Sequence, residues 1–160
     1  MAAYIISGEP GAGKTYTGTA FAIEALSRGY RVAINWDMAC PEGAAYQDAR
    51  TEDPEGRKRQ PLSMKKLNAL DGPLLIRYEE HQDVIGLEDA LVLNDEAQAT
   101  AGARDWETMS KRTRLWLSMH RHYRVTLVFL TQHYKFVDVY YRRLAVGGAM
   151  SLSRFFNLSL

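Results

Sequence analysis

Residues 8–15 read Gly8-Glu9-Pro10-Gly11-Ala12-Gly13-Lys14-Thr15, a G-x-x-x-x-G-K-T spacing. Glycines in such a stretch permit backbone conformations that side chains resist, so successive N–H groups can point inward at phosphate oxygens. A helix opening at Lys14 aims its positive N-terminus at the same point. In this pattern the lysine reaches the β- and γ-phosphates, and the hydroxyl that follows it meets Mg2+. The stretch from Gly8 to Tyr16 is therefore a candidate ATP cradle, with Lys14 as a candidate catalytic group and Thr15 as a candidate metal ligand.

The flanks supply the context this pattern requires. AYIIS (3–7) is short, apolar and rich in β-formers, and it ends at the glycine-rich turn, as a buried strand does. From Lys14 to about Ser27 the spacing of Phe21, Ile23, Ala25 and Leu26 is helical, and Arg28-Gly29 makes a basic last turn with a terminating glycine. RVAINW (31–36) reads as a second strand, and strand, helix and strand within ~30 residues form a βαβ unit with a parallel sheet. Further on, PLLIRY (73–78), ALVLN (90–94) and VTLVFLT (125–131) read as strands. Helices are expected over 105–123 and from about Phe136 to Leu144, with Gly147-Gly148 breaking the second and SLSRFFNLSL closing the chain as an alternating strand. Residues 41–63, punctuated by Pro41, Gly43, Pro54, Gly56 and Pro61 and carrying Arg57-Lys58-Arg59, are expected to form a mobile loop or insertion. The expected fold class is α/β: a P-loop nucleoside-triphosphatase core of three α/β/α layers with a mainly parallel sheet, in a single domain over 1–160.

The apolar run 90–94 ends in Asp95-Glu96, two acids at a strand tip. In an open α/β sheet the carboxyl ends of the strands form the functional edge, where the glycine-rich turn also lies. Asp95 is a candidate metal residue that holds Mg2+ through its water shell, and Glu96 a candidate base for an attacking water. The strand over 125–131 ends at Gln132, which either touches the γ-phosphate or the lytic water, or is a solvated cap.

Four features in order, GEPGAGKT, LVLNDEAQ, HRHYR, and VTLVFLTQ followed by Val137-Asp138 and Arg142, resemble the zonular occludens toxin family, which includes the filamentous-phage gene I assembly ATPases. The chain is also similar to viral packaging ATPases of the FtsK–HerA group. The resemblance covers about residues 3–145. It implies an extra strand between the two strands that carry the phosphate loop and the acid pair. It assigns Lys14 and Thr15 to Walker A, Asp95 and Glu96 to Walker B, and Gln132 to the sensor glutamine. It implies homo-oligomeric rings in which a neighbour's arginine reaches the γ-phosphate, with Arg142, Arg143 and Arg121 as candidates in that order. The implied partners are ATP, phage DNA and other phage assembly proteins. The implied place is the bacterial cytoplasm, with inner-membrane association through a partner or a further segment. Two departures from the family pattern stand out: Asn94 replaces the apolar residue usual before the Walker B aspartate, and residues 1–160 hold no counterpart of the family's membrane-spanning and periplasmic parts, so the expectation is either a cytoplasmic domain of a longer protein or a short soluble relative.

Charge is uneven along the chain. Residues 1–103 hold 10 Lys+Arg against 16 Asp+Glu, net −6, while residues 104–160 hold 10 against 3, net +7. Lys111, Arg112, Arg114, Arg121 and Arg124 are either phosphate contacts for DNA or a solvated basic face. Trp106 and Trp116 fall on the apolar stripe and read as core anchors more readily than as base-stacking platforms. The single Cys40 excludes an internal disulfide framework. No stretch approaches the ~20 apolar residues that span a bilayer, so a soluble chain is expected. The sequence favours an ATP-driven motor for virion assembly, export or genome packaging. The competing readings are a small-molecule or nucleoside kinase and a nucleotide-binding scaffold without turnover.

Overall fold

The structure is a computed structural model that describes residues 1–50, 55, 57–58, 62–101, 109–145 and 147–152. Seven strands, β1 (Ala3–Gly8), β2 (Arg31–Ile34), β3 (Ala45–Asp48), β4 (Leu74–Arg77), β5 (Ala90–Asn94), β6 (Thr126–Thr131) and β7 (Gly148–Leu152), join one sheet in the order β3-β4-β2-β5-β6-β1-β7. Every neighbouring pair is parallel. The order places β6 between β1 and β5, so the extra strand does separate the phosphate-loop strand from the acid-pair strand. Parallel pairing gathers all carboxyl ends at one edge: Ser7 pairs with Thr131, and Ile34 with Leu93.

Side chains of successive strand residues point to opposite faces, and the two faces form two cores. Ile6, Val32, Ile34, Leu75, Leu93, Val128 and Leu130 pack with Ala22 and Leu26 of α1 (Lys14–Ser27). Ile5, Ala33, Leu74, Ile76, Val92, Leu127 and Phe129 pack on the other face. That face is covered by Leu67 of α2 (Met64–Asn68), Ala97 of α3 (Ala97–Thr100), Trp116 and Leu117 of α4 (Lys111–Ser118), and Tyr141 of α5 (Val139–Leu144). The arrangement is the expected three layers. The near-continuous apolar runs of β4, β5 and β6 follow from burial on both sides.

Helix α1 packs differently from its apolar spacing. Gly18, Ala22 and Leu26 are buried at four-residue intervals, whereas Phe21 and Ile23 are exposed. A Cβ at Gly18 would lie 2.7 Å from Leu130 Cδ1 and 3.2 Å from Trp36 Cη2, so the bare glycine sets how closely α1 approaches β6.

Four expectations need correction. The stretch 41–63 is not simply a loop: β3 adds to the open edge of β4 and is held by Ala45 N–H to Pro73 O at 3.0 Å and Ala49 N–H to Arg77 O at 2.8 Å. Its Ala-Tyr-Gln-Asp sequence lacks the apolar run that marks a buried strand, because an edge strand has one neighbour and half-exposed side chains. The helix expected over 105–123 is ordered as Lys111–Ser118, capped by the Ser110 hydroxyl accepting from Thr113 N–H at 3.0 Å, and residues 105–108, with Trp106, lie outside the described residues. After Ser118 the chain turns, and Arg124 adopts φ 55°. The helix expected from Phe136 begins at Val139, where Asp138 caps it by accepting from Tyr140 N–H at 2.6 Å. The closing strand is Gly148–Leu152, and the rest of SLSRFFNLSL lies outside the described residues. No helix among the described residues is long and apolar enough to cross a membrane.

Candidate functional site

Strand β1 delivers the glycine-rich turn directly into α1. Gly11 and Gly13 take φ 79° and 83°, the left-handed region that a side chain opposes, and Ala12 N–H closes a turn on Glu9 O at 3.0 Å. Gly13 is the N-cap of α1 and has no side chain to satisfy the first-turn amides. Those amides are therefore left to an anion. Lys14 is 6 % exposed and folds back over the loop, its Nζ donating to Gly8 O at 2.8 Å and Glu9 O at 3.0 Å. A buried ammonium held by two carbonyls, its hydrogen-bond partners among the described residues, is poised for a stronger anionic partner.

The end of β5 meets this loop. The Thr15 hydroxyl donates to Asp95 Oδ2 at 2.5 Å across 80 residues. A hydroxyl oxygen and a carboxylate at this separation are the hard oxygen donors that Mg2+ takes, with water and phosphate completing its shell. Among the described residues no cluster of three His, Cys, Asp or Glu side chains could hold a metal by itself. The residues thus fit a nucleotide-bound Mg2+ and do not form a stand-alone metal cage.

Behind Asp95 lies a polar chain that the sequence reading did not find. Asn35, one residue beyond β2, accepts from Asp95 N–H through Oδ1 at 2.7 Å and donates from Nδ2 to Asp95 O at 2.9 Å. The same Nδ2 donates to Asn94 Oδ1 at 2.8 Å. Since the backbone of Asp95 fixes the Asn35 amide, Asn94 must turn its Nδ2 toward Thr100 Oγ1 at 2.7 Å and His81 Nε2 at 3.2 Å. His81 therefore accepts at Nε2 and carries its proton on Nδ1. It is buried among Tyr78, Phe129 and Tyr141, and burial pushes its pKa down to about 4. Asn94, noted above only as a departure, is the link between His81 and the acid strand. The one sequence signal for this chain was a polar Asn35 and a polar Asn94 at the tips of two apolar runs.

Glu96 adopts φ 50° at the start of α3, a costly conformation for a non-glycine residue that turns the chain sharply at the sheet edge. Its Oε2 accepts from Gln132 Nε2 at 3.3 Å, which brings the two candidates together, and from Gln98 Nε2. The Thr131 hydroxyl, fully buried at the tip of β6, donates to Gln98 Oε1 at 2.9 Å. Lys14, Thr15, Asp95, Glu96 and Gln132 thus meet at one edge of the sheet.

A family model described as zonular occludens toxin (Zot) matches residues 2–153. The chain belongs to the Zot family. Among solved structures, this Zot-family chain is similar to the N-terminal domain of zonular occludens toxin from Neisseria meningitidis, with 23 % identity, a TM-score of 0.55, and coverage of 90 % of this chain and 73 % of that one. It is also similar to the genome packaging NTPase B204 of Sulfolobus turreted icosahedral virus 2, solved with ATP-gammaS at 13 % identity (TM-score 0.55, coverage 90 % and 71 %) and with AMPPCP at 11 % (0.56, 90 % and 71 %). No curated protein sequence matches it. At these identities the likenesses establish the shared fold.

The remaining candidates of this Zot-family chain make no side-chain hydrogen bond to Thr15, Asp95 or Glu96 among the described residues. Tyr16 is 81 % exposed at the start of α1. Arg142 places its guanidinium 5.5 Å from the centre of the Tyr134 ring, and its Nε is buried without a hydrogen-bond partner among the described residues. Arg143 and Arg121 are exposed. The basic segment does not form one face. Lys111 and Arg112 open α4, which runs back from the edge where β5 ends. Arg124 precedes β6 at the opposite edge and is committed to Asp89, with Nε and Nη2 each 2.5 Å from a carboxylate oxygen. Trp116 is buried in the core, as its place on the stripe suggested.

Proposed function

We propose that this chain is an ATP-hydrolysing motor subunit for bacteriophage or prophage virion assembly, export or genome packaging. The observation that carries the reading is the 2.5 Å contact of Thr15 with Asp95, with Glu96 next in the chain, in a member of the Zot family. B204, a genome packaging NTPase solved with ATP-gammaS, has the same fold and supports a nucleotide in this place.

In this reading the loop amides and the α1 N-terminus hold the β- and γ-phosphates, and Lys14 exchanges its two carbonyl partners for phosphate oxygens. Mg2+, held by Thr15 and through water by Asp95, supplies neutralising charge when bound. Glu96 takes a proton from water as the water oxygen bonds to the γ-phosphorus and the bond to the β-bridging oxygen breaks, leaving ADP and phosphate. Gln132 orients the water or the γ-phosphate. Phage DNA, other assembly proteins and further copies in a ring are the partners. Lys111 and Arg112 are better placed for DNA phosphates than Arg124, which is already paired. The setting is the bacterial cytoplasm, with a partner or further segment supplying any contact with the inner membrane.

The test is ATP turnover with and without DNA, with product analysis and a Glu96→Gln variant. Free phosphate is expected from the wild type, with kcat falling roughly 100-fold or more in the variant. A phosphorylated acceptor in place of free phosphate would make the chain a kinase, and a Glu96→Gln chain with full turnover removes the assignment of the base. A chain that binds ATP and partners but never turns over is a scaffold.

A further inference from the structure

We infer that Gln98 is a positioning residue for the Glu96 carboxylate, an inference that rests on the hydrolytic reading above. Thr131 anchors the line of contacts. Its hydroxyl is fully buried at the tip of β6 and has two acceptors, Gln98 Oε1 at 2.9 Å and His133 O at 3.2 Å. The shorter contact fixes the Gln98 amide with its oxygen toward β6. Nε2 is then the group that faces Glu96, and it donates to Oε2. Gln132 donates to the same oxygen at 3.3 Å.

Two amides on one oxygen leave Glu96 Oε1 as the oxygen without a protein donor among the described residues. A carboxylate that deprotonates water needs one oxygen turned to that water and the other anchored. Glu96 is exposed and has three side-chain torsions, so without anchors its rotamers would scatter. Both anchors trace to adjacent residues of one strand tip, since Gln132 reaches Glu96 directly and Thr131 reaches it through Gln98. Gln98 itself sits on the first turn of α3, which buried Ala97 ties to the core.

The experiment compares Gln98→Leu, Gln98→Glu, Thr131→Val and Thr131→Ser by steady-state turnover, by titration with a fluorescent ATP analogue, and by thermal unfolding. Gln98→Leu and Thr131→Val are expected to lower kcat about tenfold with nucleotide affinity within about threefold, whereas Thr131→Ser keeps the hydroxyl and stays within about threefold of wild type. Gln98→Glu, which sets a like charge beside Glu96, is expected to be slower than Gln98→Leu. Gln98 is half-buried where Thr131 is fully buried, and leucine keeps the bulk of its side chain, so the Gln98 variants are expected to retain the fold even where a Thr131 variant does not. The inference is overturned if Gln98→Leu keeps kcat within about twofold of wild type, or if its loss of turnover is matched by lost nucleotide binding. Turnover that survives Gln98→Leu removes only this inference, whereas a wild-type chain without turnover removes the hydrolytic reading and this one with it.

Discussion

Asn35 holds Asp95 by both ends of its peptide, accepting from its N–H at 2.7 Å and donating to its C=O at 2.9 Å. A side chain here extends the β2–β5 pairing past Ile34 and Leu93, where the regular ladder between those strands stops. The aspartate that faces Thr15 is thereby fixed from behind by a residue 60 positions away.

Asn35→Ala leaves the Asp95 N–H and C=O without their side-chain partner in a half-buried place and removes one of the two donors to Asn94 Oδ1, the Thr100 hydroxyl at 3.1 Å remaining. Stability is expected to fall by about 1–3 kcal/mol, since each orphaned group bears a desolvation cost. The Mg2+ concentration for half-maximal turnover is expected to rise several-fold, because Asp95 loses its fixed position. Denaturant unfolding and a Mg2+ titration check both; an unchanged titration would mean that Asn35 supports the fold only.

His81 links pH to stability through the same chain. Its folded pKa lies near 4 and its unfolded value near 6.5, so between these the unfolded chain binds a proton that the fold refuses. Stability should therefore be unaffected by His81 above pH 6.5 and fall as pH drops toward 4, with a limiting slope of ~1.4 kcal/mol per pH unit. A protonated His81 would also set a donor against Asn94 Nδ2. The difference in unfolding free energy between wild type and His81→Gln isolates this slope, and parallel curves for the two would refute it.

Gly18→Val tests the contact that seats α1 on the sheet. The added side chain meets Leu130 and Trp36, and Leu130 is fully buried with little room to give. Overpacking of this kind is expected to cost about 1–3 kcal/mol. A melting temperature equal to wild type would show that α1 can lift without penalty.

The basic residues can be separated by salt dependence. If DNA runs along the nucleotide edge, replacing Lys111 and Arg112 by alanine should lower the magnitude of the log K against log[salt] slope by roughly 2. Replacing Arg124 should leave it nearly unchanged, since its charge is spent on Asp89. Binding isotherms at several salt concentrations decide between the two edges.

The phosphate loop, β1 and α1 were legible because their causes are local. Glycines with positive φ, a helix start at Lys14 and an apolar strand lie within 25 consecutive residues, and each acts on its immediate neighbours. The acid pair at the end of β5 was legible for the same reason, as an apolar run stopping at two carboxylates. The clamp on Asp95, the tautomer of His81 and the Thr131–Gln98–Glu96 line were not, because each joins chain segments 13 to 60 residues apart. Strand order alone sets β2, β5 and β6 side by side, and only then do the polar tips of three apolar strands find one another. The same holds for β3, whose sequence has no strand signal until the open edge of β4 supplies its hydrogen bonds. Local conformational preference thus determined the cradle, and long-range pairing decided what stands around it.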